Sequence, residues 1–164
     1  MASVEWTPKQ EEKLPQPCAL VIEDDAIVRA LIAEILRTAG FRVYEAEDGA
    51  DGIVQAQAVL PAVVVTDIFM PVQDGIEVLR HLKREMPGTR VVAVSGGSPR
   101  VPLLDMLTVA SKLGADAIVA KPFTPAELLV AVSAGDCGFR GDVTRLNAAR
   151  CRPSGVGAQT PSKL

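Results

Sequence analysis

Four short, mostly apolar runs that each end in a charged or hydroxylated residue constrain this chain more than any other feature. Cys18-Ala19-Leu20-Val21-Ile22 leads into Glu23-Asp24-Asp25, and Ala62-Val63-Val64-Val65-Thr66 into Asp67. Val91-Val92-Ala93-Val94 leads into Ser95, and Ala115-Asp116-Ala117-Ile118-Val119-Ala120 into Lys121-Pro122. Apolar runs without strict alternation fit strands buried on both faces of a parallel sheet. With a fifth run, Phe41-Arg42-Val43-Tyr44, they are separated by stretches long enough for crossover helices, the pattern of βαβ units. In an open parallel sheet, ligands and chemistry collect outside the carboxyl ends of the strands. The spacing therefore predicts an α/β chain whose strand tips gather carboxylates, a hydroxyl and an ammonium.

The intervening segments carry helical signals. Ile27, Val28, Leu31, Ile32, Ile35 and Leu36 fall on one face of a 3.6-residue period, with Gly40 as a stop. Asp74 and Glu77 form a candidate capping box before Ile76, Leu79 and Leu82. Leu103, Leu104, Leu107, Ala110 and Leu113 precede Gly114. Thr124-Pro125-Ala126-Glu127 offers an N-cap, a proline in the first turn and an acidic third position. The stretch from Asp48 to Leu60 is weaker, with Ile53 as its best apolar anchor. Asp25 is read as the cap of the first helix.

Composition narrows the function classes. The chain has 164 residues, 48% of them hydrophobic, which suits one domain with an ample core. A net charge of −3 provides no electrostatic reason to expect nucleic-acid binding. No apolar stretch reaches the roughly 18–20 residues of a membrane span, and Met1–Pro17 has no signal-peptide core. Cys18, Cys137 and Cys151 are an odd, scattered set. They point away from a disulfide framework and toward a reducing cytoplasm. Residues 1–16 read as a flexible N-terminal segment, 17–134 as the domain, and 135–164, rich in Gly, Ser, Pro and Arg, as a flexible tail. Helical potential in the tail is confined to Val143–Arg150.

Carboxylates crowded at one strand tip repel by roughly 3 kcal/mol per pair at ~5 Å and an effective dielectric of ~20. Glu23, Asp24 and Asp67 therefore call for a cation, and hard oxygen ligands suit Mg²⁺ or another divalent ion. With charge so balanced, a carboxylate such as Asp67 can act as a nucleophile toward phosphorus. Lys121 and Ser95, at neighbouring tips, would supply donors to the transferred oxygens.

At these residues the chain resembles the receiver domain of two-component response regulators. The matching segments are VIEDD at 21–25, VVVTDIFMP at 63–71, DG at 74–75, VVAVSGG at 91–97 and AKPF at 120–123. The resemblance implies a doubly wound (βα)5 flavodoxin-like fold with a parallel five-stranded sheet in the order 2-1-3-4-5. It implies a stand-alone, phospho-accepting response regulator of a histidine-aspartate phosphorelay rather than an enzyme with its own substrate. Asp67 would be the phospho-acceptor. Asp24, Asp67 and the backbone oxygen of Phe69 would bind the metal directly, with Glu23 acting through water. Ser95 would be the switch hydroxyl and Lys121 the phosphate-contacting lysine. The partners would be a sensor histidine kinase or histidine phosphotransfer protein and an unidentified downstream protein, with neither DNA nor membrane. The output face would be built from the fourth helix, fifth strand and fifth helix. Two departures stand out. Ile118 occupies a position where many receivers carry Tyr, Phe or His, and the 96–102 loop is lengthened.

Other classes fit less well. A degenerate receiver that binds partners without phosphate would lack an acidic ligand, the acceptor or the lysine. A haloacid-dehalogenase-type phosphatase needs a second Asp where Phe69 stands. A Rossmann domain needs a Gly-rich loop after the first strand, and none follows Ile22.

Overall fold

A computed structural model describes residues 16–68, 70, 75–96 and 103–133. Strands and helices alternate: β1 Cys18–Ile22, α1 Ala26–Thr38, β2 Arg42–Ala46, α2 Gly49–Val59, β3 Val63–Asp67, α3 Gly75–Glu85, β4 Arg90–Ser95, α4 Leu103–Lys112, β5 Ala117–Ala120 and α5 Pro125–Ser133. All strand pairings are parallel, in the order β2-β1-β3-β4-β5, as the resemblance implies. The chain leaves β1 toward β2 on one side and returns to β3 on the other. The tips of β1 and β3 therefore bracket the topological switch point, where this architecture places its ligands.

Strand residues alternate between two cores. Ala19, Val21, Val63, Val65, Val92, Val94 and Val119 pack with α1 and α5 residues such as Ile32, Leu36, Leu128 and Val132. Leu20, Ile22, Val64, Val91 and Ala93 pack on the other side with Ala56, Leu79, Leu82 and Ala110. Burial on both faces explains why β1, β3 and most of β4 read as unbroken apolar runs.

Local chemistry sets the helix starts. Asp25 Oδ1 accepts from the amides of Ile27 at 2.8 Å and Val28 at 3.1 Å, so this residue is the cap of α1. Glu127 Oε2 accepts from the Thr124 amide at 2.7 Å, while Thr124 Oγ1 accepts from the Glu127 amide at 3.3 Å. That reciprocal pair is a capping box opening α5.

Several sequence readings are corrected. The apolar stripe of α1 is narrower than the period indicates. Ile32, Ile35 and Leu36 are buried, but Ile27 and Leu31 are 82% and 52% exposed. β2 begins at Arg42, because the Phe41 amide donates to Leu36 O and closes the turn out of α1. The main anchors of α2 are the buried Ala56 and Val59, with Gly52 close to β1, while Ile53 is only half-buried. β5 starts at Ala117, because Asp116 pairs with Lys83 and accepts from the Val91 amide at 2.7 Å, in the turn before the strand. Finally, Cys18 is disulfide-bonded, which runs against the reading of the cysteines as pointing away from a disulfide framework. Separation along the chain, which motivated that expectation, does not measure separation in a fold. The Asp74 cap, the lengthened loop beyond Gly96 and both terminal segments also lie outside the described residues.

Candidate metal and phosphoryl site

The strand tips converge as the sequence pattern predicts. Carboxylate oxygens of Glu23, Asp24 and Asp67 lie within 4.8 Å of one another. Glu23 and Asp67 are buried and Asp24 is exposed, so the cluster has a floor and an open rim. Lys121 reaches in from β5. Its Nζ donates to Asp67 Oδ2 at 2.7 Å and to Glu23 Oε2 at 2.8 Å.

Backbone contacts fix these side chains. The Glu23 amide donates to Ala46 O at 3.1 Å, extending the β1–β2 ladder by one residue beyond β1. The Lys121 amide donates to Ser95 O at 2.8 Å, so the lysine and Ser95 sit at adjacent tips. Ser95 is fully buried. The Lys121–Pro122 peptide is cis. The Ile68 amide donates to Val94 O at 3.0 Å, holding the segment after Asp67 against β4.

Two further residues shape the site, and the family motifs do not assign them a role. Arg29 Nη1 donates to Glu23 O at 2.7 Å, tying the acidic turn to α1. A cation near a helix N-terminus opposes the macrodipole, and that misfit was a readable sign of a role elsewhere. Gly75 opens α3 directly against β3. A Cβ there would lie 1.9 Å from Asp67 O and 2.8 Å from Ile68 Cα, so only glycine permits this approach. The DG pair at 74–75 carried that signal.

Among the described residues, the site is acid-rich with Lys121 as its counter-charge. Burial is the main influence on Glu23. Together with the Asp67 charge it overrides the Lys121 hydrogen bond and pushes the carboxyl from 4.5 to about 7. Burial also works against the Lys121 charge, but the hydrogen bonds and charges of Asp67 and Glu23 outweigh it and raise the pKa of the ammonium. Asp25, outside the cluster, is held low by the Val28 and Ile27 amides. Its carboxylate is committed to the helix.

The donor set fits a hard divalent cation. Three carboxylates offer oxygens close enough to share one ion, and the exposed Asp24 leaves a side open to solvent and phosphate. Of the residues singled out in the sequence, Glu23, Asp24, Asp67 and Lys121 are brought together, with Ser95 adjacent. Phe69 lies outside the described residues. Ile118 is half-buried in β5, packed against the α2–α4 side of the sheet.

The five parallel strands and this acidic crevice define a receiver. The family profile for the response regulator receiver domain matches residues 19–133, and the chain belongs to that family. It is 38% identical over 121 residues to the transcriptional regulatory protein PrrA of Mycobacterium tuberculosis, covering 72% of this chain and 49% of that protein. It is 32% identical over 120 residues to the phosphate regulon regulator PhoB of Escherichia coli, covering 70% and 49%. The chain thus spans about half the length of these relatives. Among solved structures, a receiver domain protein from Clostridium thermocellum superposes with a TM-score of 0.66 at 28% identity, over 72% of this chain and 92% of that one. The BeF3-activated DrrB receiver domain gives 0.64 at 28% identity, over 73% and 96%.

Proposed function

We propose that this receiver accepts a phosphoryl group on Asp67 in a histidine-aspartate phosphorelay and signals through phosphorylation-dependent protein contacts. The observation that carries the reading is the Lys121 ammonium bridging Asp67 and Glu23 within a cluster whose oxygens lie within 4.8 Å. An Asp67 carboxylate oxygen forms the bond to phosphorus as the P–N bond of a phosphohistidine breaks. The imidazole keeps the electron pair and takes a proton from solvent. Bound by Asp24, Asp67 and the Phe69 carbonyl, Mg²⁺ would supply positive charge to the phosphoryl oxygens. Glu23 sits behind that set and would act through water. Lys121 is placed to turn from the carboxylates to a phosphoryl oxygen, and Ser95 to donate its hydroxyl to another. The domain turns over no substrate of its own; it assists its own phosphorylation and hydrolysis.

The donor would be a sensor histidine kinase or a phosphotransfer protein, and such a donor places the domain in the cytoplasm. Among the described residues no helix is long and apolar enough to cross a membrane. A phosphate-independent binding module is the competing reading; the presence of Glu23, Asp24, Asp67 and Lys121 together supports the phospho-accepting one. The test is intact mass after incubation with acetyl phosphate and Mg²⁺. A phosphoryl adduct on the wild type and none on Asp67→Asn is expected. No adduct on either, or a full adduct on Asp67→Asn, overturns the reading.

A further inference from the structure

The backbone of Glu23 is held at both of its polar groups. Its amide donates to Ala46 O at 3.1 Å, and its carbonyl accepts from Arg29 Nη1 at 2.7 Å. The same nitrogen reaches Asp24 O more weakly, at 3.4 Å. Arg29 lies in the first turn of α1, and its side chain runs back over the acidic turn that precedes the helix. Its Nε lies 3.8 Å from Glu45 Oε2. Glu45 is itself fixed: Oε1 accepts from Arg37 Nη2 at 2.6 Å, and its carbonyl accepts from Gln55 Nε2 at 2.9 Å. Glu45 and Ala46 are the last two residues of β2. The end of β2 therefore holds Glu23 twice, directly through Ala46 O and by way of Glu45 and Arg29. Helix stability does not account for this. A cation in a first turn opposes the macrodipole, a partly exposed ion pair contributes little, and ordering so long a side chain costs rotamer freedom. Arg29 is nonetheless well ordered against the protein, its side chain 18% exposed against 46% for Arg37, which shares Glu45.

We propose that Arg29 is a positioning residue for the cation site, aligned by Glu45 and acting through the carbonyls of Glu23 and Asp24. The inference rests on the reading of Glu23, Asp24 and Asp67 as a divalent-cation site. A carboxylate is aimed by the backbone that carries it, and two of the three carboxylates in the cluster stand on the turn that Arg29 holds. Arg29 touches their carbonyls and leaves their carboxylates to the ion. Partners that hold the ligands of a metal, without touching the metal, set ligand orientation and with it affinity. The guanidinium suits the task, since its rigid fork meets a carbonyl with one nitrogen and a carboxylate with another, which a lysine ammonium does not reproduce. A turn fixed before the ion arrives also spends less of the binding energy on ordering. Charge and position predict opposite signs for the loss of this residue. As a charge alone, Arg29 repels a second cation nearby, so removing it would tighten Mg²⁺ binding. As a positioning residue, its removal loosens the turn and weakens Mg²⁺ binding.

The test is calorimetric titration of the unphosphorylated full chain with Mg²⁺, for the wild type, Arg29→Met and Arg37→Ala. Arg29→Met keeps the apolar stem and the helix and removes only the donors and the charge. It is expected to weaken Mg²⁺ binding about tenfold, the lower end for the loss of such an outer partner. Arg37→Ala removes the other ion pair of Glu45, leaves the carbonyl contacts of Arg29 in place, and is expected to bind as the wild type does. Unchanged or tighter binding in Arg29→Met overturns the proposal. An equal loss in Arg37→Ala overturns it too, by placing the effect in the ion pairs of Glu45. Arg29→Ala decides the same question if Arg29→Met fails to fold. A wild type that takes up no Mg²⁺ overturns the cation-site reading and the positioning role with it. Normal uptake by the wild type beside undiminished uptake by Arg29→Met overturns the positioning role alone.

Discussion

The ammonium of Lys121 lies 2.7 Å from Asp67 Oδ2, the tip of β5 reaching across β4 to the tip of β3. The same atom holds Glu23 Oε2 at 2.8 Å, so one cation spans Asp67 and its buried neighbour. Lys121 is therefore a counter-charge to both carboxylates, and the proposed function would turn it to the phosphoryl group. Lys121→Met should lower the rate of adduct formation from acetyl phosphate by about 10²-fold, the usual scale for losing one such donor. A mass-spectrometric time course reads it. A normal rate would reduce Lys121 to a structural role.

Glu23 provides a pH signature. Its carboxyl rises from 4.5 to about 7 on folding, chiefly through burial. Between those values the folded state binds the extra proton, so metal-free stability falls as pH rises. The full contribution is present below about 4.5 and is lost above about 7. At roughly 1.4 kcal/mol per unit the change is up to about 3 kcal/mol. Glu23→Gln in excess chelator should flatten this part of the curve and make the protein more stable than wild type at pH 8. Denaturant melts at pH 5 and pH 8 measure both effects. Parallel pH dependence in wild type and variant would contradict the assignment.

Gly75 is the clearest steric constraint on the site. A Cβ at this position would meet Asp67 O at 1.9 Å, a backbone atom that cannot turn aside. Gly75→Ala must push α3 from β3 and drag the Asp67 backbone with it. A loss of about 3 kcal/mol is expected, at the upper end of overpacking costs. Phosphorylation should fall as well. Ala at Gly96, where among the described residues a Cβ would meet only Lys121 Cβ and Cδ at 3.6 Å, is the control and should be far milder.

Much of this architecture was legible because it repeats one physical pattern. β1, β3 and β4 are buried on both faces, so their runs are apolar and their polar ends mark the tips. Glu23, Asp24, Asp67 and Lys121 could be placed together from that alone. The exposure of Ile27 and Leu31 was not legible, since periodicity identifies an apolar stripe without saying how wide a neighbour covers it. Nor was the anchoring of α2, because Gly52 packs by having no side chain. A Cβ there would fall 2.5 Å from Ile22 Cδ1. The Cys18 bond was hidden for a related reason, in that tertiary proximity leaves no trace in cysteine spacing.

Asp24 and Asp25 are adjacent carboxylates with different employment, and separating them tests the register of the whole site. Asp25 Oδ1 caps α1 through the Ile27 and Val28 amides, which lower its pKa and turn it from the cluster. Asp24 belongs to the trio with Glu23 and Asp67, and as the exposed member it is the one a hydrated ion meets first. Asp24→Ala should therefore weaken Mg²⁺ binding at least tenfold while leaving the thermal midpoint in chelator unchanged or slightly raised, since it removes a like charge. Asp25→Ala should do the reverse, lowering the midpoint through the lost cap with little change in Mg²⁺ affinity. Calorimetric titration of Mg²⁺ and thermal melts on both variants read the two quantities separately. Equal loss of affinity in the two would mean that the turn after β1 presents its carboxylates in a different register.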